Sequence, residues 1–208
     1  EDITTNADHA VSVFAADMDN DGDMDIVSAS VFDNTIAWYE NDGAANPSWT
    51  AADILTTAID VVSVFAADMD NDGDMDIISS SVTNNAIDWY ENDGASNPSW
   101  TLADVSSSAD NAYSVFAADM DNDGDMDIVS ASNVNGKISW HENDGTADPS
   151  WTASNIVTNI NGPKSVFAAD MDNDGDMDII SSSVTNNAIA WYENNGAANP
   201  SFTAADIS

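Results

Sequence analysis

A nine-residue segment with an aspartate at every second position occurs four times in this chain of 208 residues. Its first copy, residues 17–25, reads DMDNDGDMD. Five carboxylates so close together repel one another unless a cation lies among them. Hard cations such as calcium bind about six to eight oxygen ligands, and a central glycine permits the tight bend that such a loop needs. We therefore expect four calcium ions, one in each segment.

The ligands follow from position within the segment. We assign side-chain ligation to the first, third, fifth and ninth residues and backbone-carbonyl ligation to the seventh. Ser28 stands where an EF-hand would place its bidentate glutamate, so the segment is not an EF-hand. Magnesium is a weaker candidate, because a dense carboxylate cage suits a larger and more flexible coordination sphere. The candidate metal ligands are Asp17, Asp19, Asp21, Asp23, Asp25, Asp68, Asp70, Asp72, Asp74, Asp76, Asp119, Asp121, Asp123, Asp125, Asp127, Asp170, Asp172, Asp174, Asp176 and Asp178.

Charge and composition exclude several classes of function. The chain has 38 acidic residues and two lysines, for a net charge of −36, which excludes a surface that binds nucleic acid. No apolar run is long enough to span a bilayer and no signal peptide is present, so we expect no membrane insertion. The absence of cysteine excludes thiolate catalysis, and a hydrophobic content of 43% argues against a disordered acidic chain.

The distribution of titratable side chains does not favour an enzyme. The two histidines, His9 and His141, lie at non-equivalent positions. A glycosidase needs two carboxyl groups in distinct environments beside one pocket. The glutamates instead repeat one structural position, and we expect them to make hydrogen bonds within the fold: Glu40, Glu91, Glu142 and Glu193.

The acidic segments belong to a repeat of 51 residues without insertions. The string SVFAADMDNDGDMDI begins at residues 12, 63, 114 and 165. The first and third copies continue as IVSAS and the other two as IISSSVTNNAI, which indicates duplication of a two-repeat unit. The approximate repeats are residues 3–53, 54–104, 105–155 and 156–206.

Each repeat contains four short β-type segments, which in the first copy are residues 11–17, 25–30, 35–41 and 49–54. Four strands in about 50 residues are typical of a propeller blade. We therefore predict an all-β fold, in which residues 1–208 form a single β-propeller domain of four four-stranded blades, one per repeat. The sequence begins and ends at the same point of the repeat, because Asp206-Ile207 lies 204 residues after Asp2-Ile3. Such matching ends are expected both for a closed ring and for a piece of a longer array.

The motif DxDxDGDxD after the apolar SVFAAD segment, with IAWYEN at residues 36–41, resembles the FG-GAP/VCBS repeats, including the calcium-binding blades of integrin-type propellers. This resemblance covers essentially the whole chain. It implies calcium as a structural ion, an extracellular or cell-surface location, and roles in adhesion, protein contact or glycan binding. Propellers of this kind resemble seven-bladed rings, so four repeats leave a small ring, a half-ring completed by a partner, or a fragment.

The repeated aromatic residues bear on core packing and on ligands. Trp38, Trp89, Trp140 and Trp191 have the strand parity of core residues, and His141 replaces the tyrosine of the other repeats as a packing variant. A second set lies on the outer strand, where partial exposure would allow stacking on sugar rings: Trp49, Trp100, Trp151 and Phe202.

Three hypotheses follow for the function. The first is a calcium-binding extracellular structural or adhesive module, a unit of a larger repetitive assembly or fibre. The second is a multivalent carbohydrate-binding lectin, and the third is the non-catalytic domain of a larger secreted enzyme. The expected partners are protein or glycan surfaces, other copies of the chain included, and neither nucleic acid nor membrane.

Overall fold

In the computed structural model, residues 2–206 are described, and they form sixteen β-strands. The four-strand pattern predicted for each repeat is confirmed, with strand ends shifted by a single residue in the first copy. Within the described residues, no helix is long and apolar enough to cross a membrane. The strands are β1 (Ala10–Ala16), β2 (Asp25–Ser30), β3 (Thr35–Asn41), β4 (Trp49–Leu55), β5 (Val61–Ala67), β6 (Asp76–Ser81), β7 (Ala86–Asn92), β8 (Trp100–Ser106), β9 (Ala112–Ala118), β10 (Asp127–Ser132), β11 (Lys137–Asn143), β12 (Trp151–Thr158), β13 (Pro163–Ala169), β14 (Asp178–Ser183), β15 (Ala188–Asn194) and β16 (Phe202–Asp206).

Each repeat folds into one antiparallel sheet whose strands are adjacent in chain order. We number these sheets 1 to 4 from the N-terminus. In sheet 1 the register places Val13 opposite Ser28, Ser28 opposite Ala37, and Ala37 opposite Asp53. Because the side chains of a strand alternate between its two faces, this register gives each sheet two distinct faces.

Neighbouring sheets bury a shared apolar core, and the same repeat positions build it three times. In the first core, Met18, Ile36 and Trp38 of sheet 1 pack with Ile77 and Tyr90 of sheet 2. Equivalent residues form the cores between sheets 2 and 3 and between sheets 3 and 4. Burial of apolar surface is worth roughly 25 cal/mol per Å², so these three cores are the main source of stability.

A line of phenylalanine rings on the first strands also joins the sheets. The centroid of Phe65 lies 4.4 Å from that of Phe14 and 4.7 Å from that of Phe116. Phe116 lies 4.4 Å from Phe167 in the same way. These tilted contacts lie at the short end of the range that aromatic pairs favour.

The all-β class is confirmed, but the predicted propeller is wrong. The four four-stranded sheets are separate, and within residues 2–206 they do not close into a ring. They pack in chain order through β1, β5, β9 and β13. Val13 on sheet 1 is 68% exposed and Ile189 on sheet 4 is 56% exposed, so each end of the row has an uncovered face.

This open arrangement explains which of the four tryptophans on the third strands are buried as predicted. Trp38, Trp89 and Trp140 are buried as predicted, because a following sheet covers each of them. Trp191 is only half-buried, since no following sheet covers it in the part of the chain that the structure describes. The prediction is therefore wrong for Trp191.

Candidate metal sites

Each acidic segment forms the loop between the first and second strands of its sheet. In sheet 1 the loop leaves β1 at Ala16 and enters β2 at Asp25. Asn20 and Gly22 have φ values of 59° and 97°, in the left-handed region that asparagine and glycine tolerate best. The other three loops repeat these two conformations, so all four copies bend alike.

The first aspartate of the loop holds this bend through backbone hydrogen bonds. Oδ1 of Asp17 accepts a bond of 3.1 Å from the N–H of Asp21, and Oδ2 accepts one of 2.9 Å from the N–H of Gly22. Oδ1 of Asp21 in turn accepts a bond of 2.9 Å from the N–H of Asp23. The loop is therefore shaped by its own carboxylates.

The ninth aspartate is anchored within the fold. Asp25 is buried, and its carboxylate accepts bonds from the N–H of Met18 at 3.2 Å and of Asn41 at 2.8 Å. Burial raises the pKa of the equivalent Asp76 and Asp127 to about 7. Burial thus makes a negative charge on Asp76 and Asp127 costly without a nearby cation.

The structure brings together three predicted ligands in every loop. Carboxylate oxygens of the first, third and ninth aspartates lie within 4.8 Å of one another in the first three loops. The fourth loop instead gathers its first, third and fifth aspartates, and all three are exposed. These groups are Asp17, Asp19 and Asp25; Asp68, Asp70 and Asp76; Asp119, Asp121 and Asp127; and Asp170, Asp172 and Asp174.

The remaining predicted ligands lie outside these groups in the described residues. The fifth aspartates of the first three loops, Asp21, Asp72 and Asp123, cap the backbone N–H of the seventh residue. Asp178 is buried at the start of β14 and accepts a bond of 2.8 Å from the N–H of Asn194. The seventh aspartates pack beside a glycine after the third strand, at Asp23, Asp74, Asp125 and Asp176.

The seventh aspartate connects neighbouring loops. Asn71 donates a hydrogen bond of 2.5 Å to Asp125 of the next loop, and Asn20 donates to Asp74 in the same way. A Cβ atom at Gly94 would lie 2.0 Å from Oδ2 of Asp74, so only glycine leaves room for this carboxylate. The side chain of the seventh aspartate therefore accepts a hydrogen bond from a neighbouring loop. Its backbone carbonyl is left for the metal ligation that the sequence predicts.

An unpaired oxygen in the third loop tests whether these groups fit a metal ion. Asp121 is 8% exposed, and its Oδ1 atom is buried without a hydrogen-bond partner in the described residues. Burial, with the charge of Asp123, raises the pKa of Asp121 to about 6. Buried carboxylate oxygens are normally paired or bound to a cation. A hard divalent cation fits this donor set.

The protein has almost no positively charged side chains that could take the place of a metal ion in the acidic loops. Lys164 lies over the ring of Tyr113, at 2.9 Å from the ring centroid. Lys137 begins β11, at the opposite end of that strand from Asn143, whose N–H bonds to Asp127. Neither lysine is placed to neutralise an acidic loop.

Two residues that end the third strand also belong to the site, although the sequence did not single them out as ligands or anchors. Burial is the main cause of the raised pKa of Asp121, and the charge of Glu142 adds to it. Asn92 donates from its backbone to Asp76 at 2.8 Å, and its Nδ2 donates to the carbonyl of Met18 in the preceding sheet at 2.8 Å. The Glu-Asn pair recurs in all four repeats, and that recurrence was the available signal.

Comparison with known proteins identifies the repeat. The sequence matches the family model of the FG-GAP-like repeat over residues 17–79, 80–130 and 119–181. No curated protein sequence gives a significant match. The fold aligns with the crystal structure of the V. cholerae biofilm matrix protein Bap1 over 97% of this chain, at 13% identity and a TM-score of 0.43, and spans 39% of that chain. Since the family model matches most of its length, the chain belongs to the FG-GAP-like repeat family.

Proposed function

We propose that this chain is a calcium-stabilised structural and adhesive module that acts outside the cell, with one calcium ion in each acidic loop. The observation that carries this proposal is the buried, unpartnered Oδ1 atom of Asp121 within a three-aspartate group. A three-aspartate group recurs in each of the four repeats. Three converging carboxylates in every repeat, one of them with an unpartnered buried oxygen, support a bound cation better than a solvated acidic surface.

The position of the loops supports a structural role for the ion. Asn92 joins the end of its own loop, through the carbonyl of Met75, to the carbonyl of Met18 in the preceding sheet. An ion that orders the loop would therefore also hold two sheets together. Calcium at about one hundred times its Kd would add about 2.7 kcal/mol per site to the free energy of unfolding.

The expected affinity supports the proposed location. Without the bidentate glutamate of an EF-hand, the loops should bind calcium with a Kd of about 0.1–1 mM, the range of extracellular calcium modules. Sites of this affinity fill where calcium is abundant, which favours the outside of the cell.

The repeated arrangement supports binding and assembly over catalysis. The four sheets carry largely the same residue types at equivalent positions, so the proposed partners are surfaces that can contact several repeats. Trp100 and Trp151 pack against the cores between sheets instead of standing free on the outer strands. This packing favours a structural module over a lectin whose repeated tryptophans stack on sugar rings.

Calcium titration by calorimetry tests the proposal. Three ions should bind with similar affinity, and a fourth more weakly, because the group at Asp170 is exposed. Asp121→Asn should remove about one ion, while the control Asp53→Asn, at an exposed position on β4, should remove none. Magnesium should bind at least about tenfold more weakly. A stoichiometry near one ion per chain, or equal loss in the control, would contradict the proposal.

A further inference from the structure

The two end sheets each retain one half of a contact that the chain makes three times internally. Val13 is 68% exposed on sheet 1, whereas its equivalents in the other sheets are at most 5% exposed: Val64, Val115 and Val166. Ile189 is 56% exposed on sheet 4, whereas its equivalents are fully buried: Ile36, Ile87 and Ile138. The same residue type in the same register is thus covered inside the row and uncovered at its ends.

The free face of sheet 1 is a groove of about 730 Å³. It is lined by sheet residues that include Ala10, Val13, Ala15, Ile26 and Tyr39, and the N-terminal segment at residues 2–7 forms one wall of it. One repeat later, the same positions form the sheet 2 side of the first core: Val61, Val64, Ala66, Ile77 and Tyr90. This groove therefore has the residue types of a surface that receives a preceding sheet.

The free face of sheet 4 has the residues that form the other side of each internal core. Met171 is 46% exposed and Phe167 is 51% exposed, and Trp191 is half-buried beside Ile189. In sheet 1 the positions of Met171, Ile189 and Trp191 hold residues that are all buried in the first core: Met18, Ile36 and Trp38. Sheet 4 thus presents the surface that a following sheet would cover.

The internal interfaces also contain hydrogen bonds between neighbouring sheets. At each end of the row, one partner of such a bond is present and the other is missing within residues 2–206. Ser114 Oγ accepts a bond of 3.2 Å from the N–H of Val166, and Asn122 donates one of 2.7 Å to Asp176. Ser165 and Asn173, the next residues in these series, make no such bonds to another sheet within residues 2–206. Among the aspartates at the seventh loop position, Asp23 accepts no hydrogen bond from an asparagine of another loop within residues 2–206.

We propose that two copies of this chain pack head to tail, with the free face of sheet 4 in one copy against the free face of sheet 1 in the other. The occupant is a second copy because the chain itself carries both halves, and its three internal cores show that these halves fit. Such a contact is heterologous, since the two copies contribute different surfaces. Val13 and Ile189 would be buried, as their internal equivalents are, and Phe167 would become half-buried like Phe65 and Phe116.

The net charge of −36 opposes this association and sets the conditions for observing it. Repulsion between exposed charges is screened beyond about 8 Å at physiological ionic strength. The two free faces are mainly apolar, and their burial does not weaken with salt. Association should therefore strengthen as sodium chloride is added.

Sedimentation velocity over about 1–200 µM protein, in calcium chloride and physiological salt, tests the pairing. The full chain should sediment as more than one copy, with a mass that rises with concentration. A monomer at every concentration and salt would overturn the proposal. Calcium calorimetry is a separate readout, so a failure of this test leaves the proposed metal sites standing.

A complementation experiment tests the head-to-tail direction. Val13→Asp and Ile189→Asp should each weaken self-association by at least about tenfold, because each buries an unpaired charge in the contact. An equimolar mixture of the two variants should form a one-to-one pair through the remaining intact faces. Val134→Asp is the matched control, since Val134 is 72% exposed and lies in repeat 3, outside the residues that form the two free faces. Failure of the mixture to pair, or an equal effect in the control, would overturn the proposal.

Discussion

The Nδ2 atom of Asn71 lies 2.5 Å from Oδ1 of Asp125, so adjacent acidic loops are joined by a direct hydrogen bond. Asn71 has a φ of 61°, a conformation that asparagine and aspartate both tolerate. The side chain that connects the loops is thus neutral, although every second residue around it is acidic. This bond couples the electrostatic environment of one loop to that of the next.

Asn71→Asp should therefore destabilise the protein by about 1 kcal/mol, since it places a second carboxylate against Asp125. Chemical denaturation at a concentration where the chain is monomeric measures this effect. Asn173→Asp is the matched control, because Asn173 has a φ of 65° but makes no such bond within residues 2–206. Equal destabilisation by both variants would show that the bond between loops is unimportant.

The tryptophans of the third strands should differ in their contribution to stability. Trp89→Ala should lower the free energy of unfolding by about 3–5 kcal/mol, because Trp89 is 1% exposed between sheets 2 and 3. Trp191→Ala should cost less than half as much, because no following sheet covers Trp191 in the described chain. Urea denaturation of both variants at low concentration gives the comparison, and equal costs would contradict the open arrangement of the sheets.

His141 should make the protein sensitive to acid. It is 2% exposed beside Ser130, and burial lowers its pKa to about 4. The unfolded chain takes up this proton near pH 6.5, before the folded protein does, so stability falls as the pH drops from about 6.5 to 4. The loss should approach about 3 kcal/mol.

His141→Tyr should remove this part of the acid sensitivity. Tyrosine is the residue of the other three repeats, where for example Tyr90 lies 3.4 Å from Ser79 through its hydroxyl. Urea denaturation at a series of pH values measures the difference between the variant and the wild type. His9→Tyr, at an exposed position, is the control for the loss of a histidine. An unchanged slope in His141→Tyr would mean that the buried imidazole does not govern it.

Asp88 should destabilise the fold at neutral pH. Burial, with the charge of Asp104 on the adjacent strand, raises the pKa of Asp88 to about 6. A raised carboxyl pKa means that stability falls as the pH rises from about 4 to 6, because the folded state disfavours the charged form.

Asp88→Ala should therefore stabilise the protein by about 1–2 kcal/mol at pH 7, after allowance for solvent screening, and by little at pH 4. Alanine already occupies the equivalent positions 37 and 190. Asp53→Ala removes an exposed aspartate that faces Ala37, and it should have little effect at either pH. Thermal melting at the two pH values distinguishes these outcomes.

The strands and loops could be predicted from the sequence because local patterns determine them. The strands at residues 25–30 and 35–41 lie where alternation of side chains placed them. The open row of sheets could not be predicted in this way, because it depends on rotation angles at contacts between distant residues. Trp191 shows the consequence, since it occupies the same repeat position as Trp38 but lies in a different environment.

For the candidate metal sites, too, the sequence predicted the local features but not the contacts between sheets. Carboxylate spacing predicted that Asp17, Asp19 and Asp25 would converge, and they do. It did not predict that Asp23 packs against Gly43, or that Asn92 reaches the carbonyl of Met18 in the preceding sheet. These contacts depend on the sheet register and on packing between sheets, which the spacing of aspartates does not encode.

Thermal unfolding of the full chain with calcium, with a chelator, and with a chelator plus sodium chloride tests the central claim most directly. With calcium at about one hundred times its Kd, three well-formed sites at about 2.7 kcal/mol each would contribute about 8 kcal/mol. With a shift of about 2–4 °C per kcal/mol, chelation should lower the Tm by on the order of 20 °C. Sodium chloride should restore only the small part of this loss that comes from long-range repulsion. A Tm that stays the same on chelation would show that the aspartate groups do not hold the fold together through calcium.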